Sequence, residues 1–371
     1  MTKNRRLITA LAPLAVSCAS SAAPLPDAAF ADGSSTGAPS VTCKVADGSS
    51  VPSATKPLAF WSEYLTDDQV RAALPLLAEK HVDLYLAIHA ERIGDPSLTA
   101  LLCDARAAGV GVRAWMLLKE TDGYWANEHN VEQVRATATA LADWRDKANL
   151  PFEWIIFDME MSLERTKAFG EAVKQGGLAG ALSLVKQGDD MAAFKTAREG
   201  YVKLVDDMHD RGLKVMSVSY PFVLDDAADG DDQIQDRFDV PIGGVPWDEA
   251  SFMVYQSTFY DYLGQWPSPE LVYSYATSAK EQFGDRAALA LGIVGSVGAV
   301  PVNKPYPDAA TLMQDEAAAL AGGTARLSVY SLDGTLMQAN PTEWLATSAP
   351  AKPSSSGTAA LRTLAASLLD N

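Results

Sequence analysis

The sequence predicts a single (β/α)8 barrel, and three observations support that fold class. An alanine-rich helical stretch, a charged or glycine-containing turn and a short apolar run follow one another repeatedly, which is the pattern of βα units. The apolar runs are almost continuous rather than alternating, as in parallel strands that are covered on both faces. Eight such runs lie within residues 57–348, and a closed (β/α)8 barrel requires eight units.

The eight runs predict eight strands in chain order. They are Leu58–Glu63, Val82–His89, Val112–Leu118, Trp154–Asp158, Lys214–Tyr220, Ser251–Gln256, Leu289–Val294 and Arg326–Ser331. A doubly wound open sheet is the alternative architecture. No GxGxxG motif follows the first run, which disfavours a dinucleotide-binding sheet of that kind.

The N-terminus predicts export. A basic start precedes the apolar run Leu7–Val16, which is too short to span a bilayer comfortably. Two processing sites compete within the predicted signal peptide, residues 1–31. The motif "AVSC", ending at Cys18, resembles a bacterial lipoprotein box, and "AFA", ending at Ala31, suits ordinary signal peptidase. The expected location is the bacterial cell envelope or exterior, either as a lipoprotein anchored at Cys18 or as a secreted protein.

Two segments rich in small and polar residues flank the predicted barrel. Residues 32–56 are rich in Ala, Ser, Pro, Gly and Asp and predict a linker. Residues 349–371 open with a Pro/Ser stretch and predict a short amphipathic helix at Thr358–Leu369. Cys43 and Cys103 remain beyond the predicted signal peptide, and they either form a disulfide in an oxidising compartment or stay as two buried thiols.

The charge balance narrows the range of partners. The formal net charge is −17 and the pI is about 4.6, so phosphate backbones and anionic membrane surfaces would be repelled. Nucleic acid is therefore not expected as a partner, whereas a neutral or cationic ligand is. A hydrophobic content of 48% is enough for one large domain or two small ones. The protein is expected to be a monomer.

Polar and aromatic residues gather where the predicted strands end, which is where this fold builds active sites. Carboxylates and amides bind hydroxyl groups, and aromatic rings stack on the apolar faces of sugars. The combination predicts a carbohydrate cleft. The expected substrate-binding residues are Trp61, Glu63, His89, Glu120, Tyr220, Gln256 and Tyr330.

The stretch "FEWIIFDMEMS", residues 152–162, runs from an apolar strand into two carboxylates. Side chains alternate along a strand, so Asp158 and Glu160 point the same way and would both reach the open end of the barrel. Two neighbouring carboxylates repel each other, and one of them then tends to keep a proton near neutral pH. This pattern predicts Glu160 as a general acid and Asp158 as its helper.

These residues resemble glycoside hydrolase family 18, the chitinases and endo-β-N-acetylglucosaminidases. That family ends its fourth strand in DxxDxDxE, and "EWIIFDME" places Asp158 and Glu160 on the last two acidic positions. Ile156 and Glu153 stand where the family carries its first two aspartates. The family's sixth strand carries MxYD or an amide variant, and "MVYQ" supplies Tyr255 there.

The resemblance implies a reaction as well as a fold. In substrate-assisted retention Glu160 protonates the glycosidic oxygen, while Asp158 and Tyr255 orient the 2-acetamido group of the substrate. Neither a cofactor nor a metal is needed. The eighth strand of the family usually ends in Trp, and this chain has Tyr330 instead.

Two other functions stay open. A non-catalytic carbohydrate-binding barrel is one, because the acidic motif is incomplete. A barrel hydrolase of another family is the other, including a metal-dependent enzyme that uses the acidic rim. The four histidines show no HxxxH or HExxH spacing, so no metal site is predicted.

Overall fold

Eight short parallel strands pair in the order β1 to β8, and β8 pairs with β1 to close the barrel. This arrangement, seen in a computed structural model, confirms the predicted fold class. The structure describes residues 42–43, 54–188, 190–263, 266–295, 304–358 and 362. The strands are β1 (Leu58–Ser62), β2 (Asp83–His89), β3 (Val112–Leu117), β4 (Trp154–Asp158), β5 (Lys214–Ser219), β6 (Glu249–Tyr255), β7 (Ala287–Gly292) and β8 (Arg326–Tyr330).

Helices cover the outside of the barrel. The first one shows how the sequence starts a helix, because Thr66 and Gln69 form a reciprocal capping box at its N-terminus. The helices of the described residues are α1 (Asp67–Glu79), α2 (Pro96–Ala107), α3 (Val131–Ala148), α4 (Leu163–Val185), α5 (Met191–Asp210), α6 (Val223–Asp229), α7 (Gln233–Arg237), α8 (Gln256–Leu263), α9 (Glu270–Phe283), α10 (Ala309–Ala321), α11 (Leu332–Leu336) and α12 (Pro341–Trp344).

All eight predicted strands are present, and β4 has the predicted bounds. The other bounds shift by one or two residues. The largest shifts are in β6, which begins at Glu249 rather than at Ser251, and in β7, which begins at Ala287 rather than at Leu289. Glu249 looks like part of a polar turn in the sequence, but its carboxylate lies inside the barrel because a buried arginine pairs with it.

That ion pair fills the lower end of the barrel, where the strands begin. Arg113 Nη1 donates to Glu249 Oε1 at 2.9 Å, and both side chains are almost fully buried. The Arg113 guanidinium also lies 3.9 Å from the centre of a ring of Trp154. Charges this deep are tolerated only when they are paired and hydrogen-bonded. These contacts fix Arg113, Glu249 and Trp154 as inward-facing residues.

A disulfide joins Cys43 to Cys103 of α2, which decides between the two alternatives for these cysteines. The carbonyl oxygen of Ala54 accepts a hydrogen bond from Arg113 Nη2 at 3.1 Å. Cys43 and Ala54 are both buried, so two residues of the predicted linker pack against the barrel. The predicted signal peptide and nearly all of the predicted C-terminal helix lie outside the described residues. Within the described ranges, no helix has the length and apolar character to cross a membrane.

Candidate active site

Strand alternation determines which predicted site residues reach the barrel interior. Trp154 faces inward, so Ile156 and Asp158 of β4 face inward too, and Glu160 continues the same register. The same alternation holds on the other strands. The predicted site residues with inward register are Trp61, Glu63, His89, Asp158, Glu160, Tyr220, Tyr255 and Tyr330. They therefore lie on the side of their strands that lines the mouth, the upper end of the barrel where the strands finish.

Aromatic rings line the interior below the mouth. The ring of Trp61 lies 5.0 Å from that of Trp115, and Trp115 lies 6.4 Å from Tyr330. Tyr330 in turn stacks on Tyr255, with ring centres 6.0 Å apart and an interplanar angle of 30°. A Cβ atom at Gly292 would come within 2.8 Å of the Tyr255 ring, so only glycine lets that ring lie against β7.

Glu63 is held by two tyrosine hydroxyls. Tyr124 Oη donates to Glu63 Oε1 at 2.8 Å, and Tyr330 Oη donates to Oε2 at 2.6 Å. Burial raises the pKa of Glu63, although the hydrogen bonds from Tyr330 and Tyr124 oppose that shift. The sequence marked Glu63 only as a substrate contact. The structure places Glu63 close enough to Asp158 for its charge to be among the causes that raise the pKa of Asp158, so the mouth holds three carboxylates.

Asp158 and Glu160 are both buried, with 6% and 2% of their surfaces exposed. Burial is the largest cause that raises the pKa of Asp158 well above its usual value, followed by the charges of Glu160 and Glu63. The nearby indole N–H of Trp115 opposes the shift. The arrangement favours the protonated form of Asp158.

The backbone fixes the direction of these two acids. Ala126 N donates to the carbonyl oxygen of Asp158 at 2.9 Å, and Glu160 N donates to the carbonyl oxygen of Ala126 at 3.1 Å. On the other side Met159 N donates to Val218 O at 2.7 Å. The end of β4 is therefore clamped between the loop after β3 and strand β5, which preorganises both carboxylates.

Gln256 does not reach the mouth with the others. It follows Tyr255 directly, so alternation turns it outward, and its Nε2 donates to Asp315 Oδ1 of α10 at 3.2 Å. Tyr220 packs against the rings of Phe222 and Phe238. The side chains of Gln256 and Tyr220 are both buried.

The two remaining predicted contacts differ in exposure. His89 is partly buried, its ring lies 6.0 Å from that of Tyr124, and burial lowers its pKa, which favours the neutral imidazole. Glu120 is exposed in the short turn after β3. His89 therefore borders the mouth, and Glu120 lies at its rim.

Two residues outside the predicted set support the site. Tyr124 holds Glu63, as described above. Asp333 Oδ1 accepts the backbone N–H groups of Tyr64 at 2.7 Å and Leu65 at 3.0 Å, which anchors the chain just after Glu63. Both residues follow closely after a strand, the only sequence signal that could have selected them.

A second group of titratable side chains, two carboxylates and one histidine, lies beside the mouth. Glu128, His129 and Asp239 bring three potential metal-ligand atoms within 4.8 Å of one another. The pKa of Glu128 is raised to about 8, mainly by burial and then by the charge of Asp239. Asp239 is more than a hundred positions from the other two, so no spacing motif could reveal this group.

Several solved structures are similar to this chain at low sequence identity. The glycoside hydrolase domain of PgaB (BpsB) from Bordetella bronchiseptica has a TM-score of 0.47 and 13% identity, covering 78% of this chain and 99% of that chain. D-psicose 3-epimerase from Clostridium cellulolyticum H10, solved with D-tagatose, has a TM-score of 0.41 and 12% identity, covering 85% and 97%. A xylose isomerase-like TIM barrel protein from Mycobacterium smegmatis, in complex with magnesium, has a TM-score of 0.41 and 15% identity, covering 82% and 91%. No protein-family model matches the sequence, and no curated protein matches it.

Proposed function

We propose that the protein is an exported glycoside hydrolase that cleaves a glycan containing N-acetylhexosamine, with Glu160 as general acid and base. The observation that carries the proposal is the cluster of buried Asp158 and Glu160 with partly buried Glu63, above an aromatic-lined interior. Acids whose pKa is raised at the strand ends of such a barrel are typical of groups that exchange protons in catalysis. Export rests on the N-terminal sequence alone.

The proposed reaction uses the acids in two steps. Glu160 gives its proton to the glycosidic oxygen as that oxygen leaves the anomeric carbon, and the carbonyl oxygen of the 2-acetamido group forms the new bond. Asp158 and Tyr255 orient that group. Glu160 then takes a proton from the water that opens the oxazolinium ring, so the product keeps its anomeric configuration.

Glu63 supports the proposal by supplying a third carboxylate. The family 18 motif carries an aspartate where this chain has Ile156, and Ile156 is fully buried. Glu63 reaches the same cluster from β1, and its charge is among the causes that raise the pKa of Asp158. We assign it a positioning role, in which its negative charge favours a proton on Asp158.

The test is release of reducing ends from a panel of glycans, including chitin oligomers, peptidoglycan and high-mannose N-glycans. Glu160→Gln should lower the rate by about 10²–10⁴-fold, the usual contribution of a general acid and base. Glu164→Gln is the matched control, because it makes the same change at an exposed position in the first turn of α4. Circular dichroism checks that both variants keep the fold.

Each outcome has a separate meaning. Full activity in Glu160→Gln contradicts the proposal. Saturable glycan binding without release, in folded wild type, identifies a non-catalytic carbohydrate-binding barrel instead. Release that a chelator abolishes without lowering the thermal midpoint identifies a metal-dependent hydrolase, the remaining alternative.

A further inference from the structure

Three side chains from two separate loops converge beside the mouth. Glu128 and His129 lie between β3 and α3, and Asp239 lies between α7 and β6. Glu128 Oε1 is 3.5 Å from His129 Nε2, and the same nitrogen is 3.4 Å from Asp239 Oδ1. The two loops are also joined by the backbone, since Glu128 N donates to Asp239 O at 2.9 Å.

The Glu128 carboxylate is buried without hydrogen-bond donors. Its side chain has no exposed surface, and neither of its oxygens has a hydrogen-bond partner among the described residues. Asp239 Oδ2 is buried and lacks a partner in the same way. A buried carboxylate oxygen without a donor costs free energy that a bound cation would recover.

Arg165 occupies only one side of this group. Its guanidinium donates to Asp239 Oδ1, to Arg237 O at 2.7 Å and to Val185 O at 3.1 Å. These bonds fix the orientation of the Asp239 carboxylate and leave Oδ2 for another ligand. Hydrogen bonds from neighbouring residues commonly orient metal-binding carboxylates in this manner.

We propose that Glu128, His129 Nε2 and Asp239 Oδ2 bind one divalent transition-metal ion of the Zn²⁺ class. Imidazole with carboxylates suits Zn²⁺ and its neighbours, whereas Ca²⁺ and Mg²⁺ prefer all-oxygen ligands. His129 keeps 56% of its side chain exposed, which gives the ion an entry path and room for a water ligand. The site is independent of the proposed glycosidase activity.

The bound ion would stabilise one wall of the mouth. It would connect the loop after β3 with the segment before β6, and the first of these carries Ala126. Ala126 forms backbone hydrogen bonds with both Asp158 and Glu160. The role we assign to the ion is therefore structural, as a clip between two loops.

The test is calorimetric titration of the chelator-stripped protein with ZnCl2. Wild type should bind one equivalent, and Glu128→Gln and His129→Ala should each weaken binding by more than the roughly 10–100-fold seen when only a supporting partner is lost. His209→Ala is the matched control, because His209 pairs with Asp248 at 2.8 Å, away from the three proposed ligands. It should bind Zn²⁺ as wild type does.

A thermal melt supplies a second readout. Zn²⁺ should raise the midpoint of wild type and of His209→Ala, and should leave His129→Ala unchanged. His129 is largely exposed, so its replacement keeps the test valid even where Glu128→Gln does not fold. Absence of saturable Zn²⁺ binding, equal binding in the His129 variant, or preference for CaCl2 over ZnCl2 would each overturn the proposal.

Discussion

The two ends of the barrel bury carboxylates in opposite ways. At the lower end Glu249 is paired with Arg113 and also with Arg326, which neutralise its charge. At the mouth neither Asp158 nor Glu63 forms an ion pair among the described residues, and burial raises the pKa of both. The same strands thus carry compensated acids at one end and uncompensated acids at the other.

This difference separates stability from reactivity. A buried acid that is paired with a guanidinium stays charged and holds the strands together, but it has no proton to give. A buried acid without a paired cation has a raised pKa, so it holds a proton more readily than usual and can transfer it, at a cost in stability. The contrast agrees with the usual division of this fold into a stabilising lower face and a reactive upper face.

The largest expected effect comes from breaking the lower pair. Arg113→Met leaves the Glu249 carboxylate buried beside Arg326 alone, and should lower the free energy of unfolding by about 3–5 kcal/mol. Adding Glu249→Leu removes the carboxylate that has lost its buried partner and should restore most of that loss. Urea unfolding followed by circular dichroism measures both. If Arg113→Met alone were as stable as wild type, the proposed stabilising role of the lower ion pair would be wrong.

Replacing a buried acid at the mouth should have the opposite effect on the free energy of unfolding. Asp158→Asn removes an uncompensated buried acid and should raise stability near neutral pH by about 0.5–2 kcal/mol, while glycan release falls. The pKa of Asp158 is higher in the folded chain than in the unfolded chain. At pH values between these two pKa values, the folded state therefore binds more protons than the unfolded state. Wild-type stability therefore decreases as pH rises from about 4, the ordinary pKa of an aspartate, toward the raised pKa.

Melting curves from pH 4 to pH 8 test this sign. The decrease should be smaller in Asp158→Asn than in wild type, because the substituted amide does not titrate. Equal pH dependence in the two proteins would show that Asp158 does not contribute to it.

The smallest expected effect concerns the hydroxyls that hold Glu63. Tyr124→Phe keeps the ring and removes one donor to the carboxylate, so the pKa of Glu63 should rise further. The acidic limb of the pH profile of glycan release should then move to higher pH. Tyr306→Phe removes a hydroxyl from Asp315, a buried acid that Gln256 also contacts, and serves as the control. A profile that moves equally in both variants would assign the effect to general destabilisation.

Much of this site could be predicted from local sequence, and the remainder could not. Asp158 and Glu160 stand out because an apolar run ends in two acids that point to the same face of the strand. That pattern can be seen within a few residues of sequence. Gln256 was expected at the mouth because it ends the sixth apolar run and matches the amide variant of the MxYD motif, but only its neighbour Tyr255 has the inward register.

Long-range partners account for the rest. Glu249 looks like a turn residue until Arg113, 136 positions away, is placed against it. Glu128 and Asp239 meet only through the fold, and no spacing motif could pair them. The disulfide between Cys43 and Cys103 stayed undecided for the same reason, since cysteine count does not reveal proximity.

Closure of the barrel has a consequence for the order in which the chain folds. β1 pairs with β8, and Asp333 accepts the backbone N–H of Tyr64 from 269 positions further along the chain. Glu63 follows the first strand, yet its partner Tyr330 and the anchor Asp333 come 267 and 270 positions later in the chain. Contacts so distant in sequence form slowly. Until β8 and the turn after it are in place, Glu63 therefore lacks the Tyr330 hydroxyl and the chain just after it lacks the Asp333 anchor.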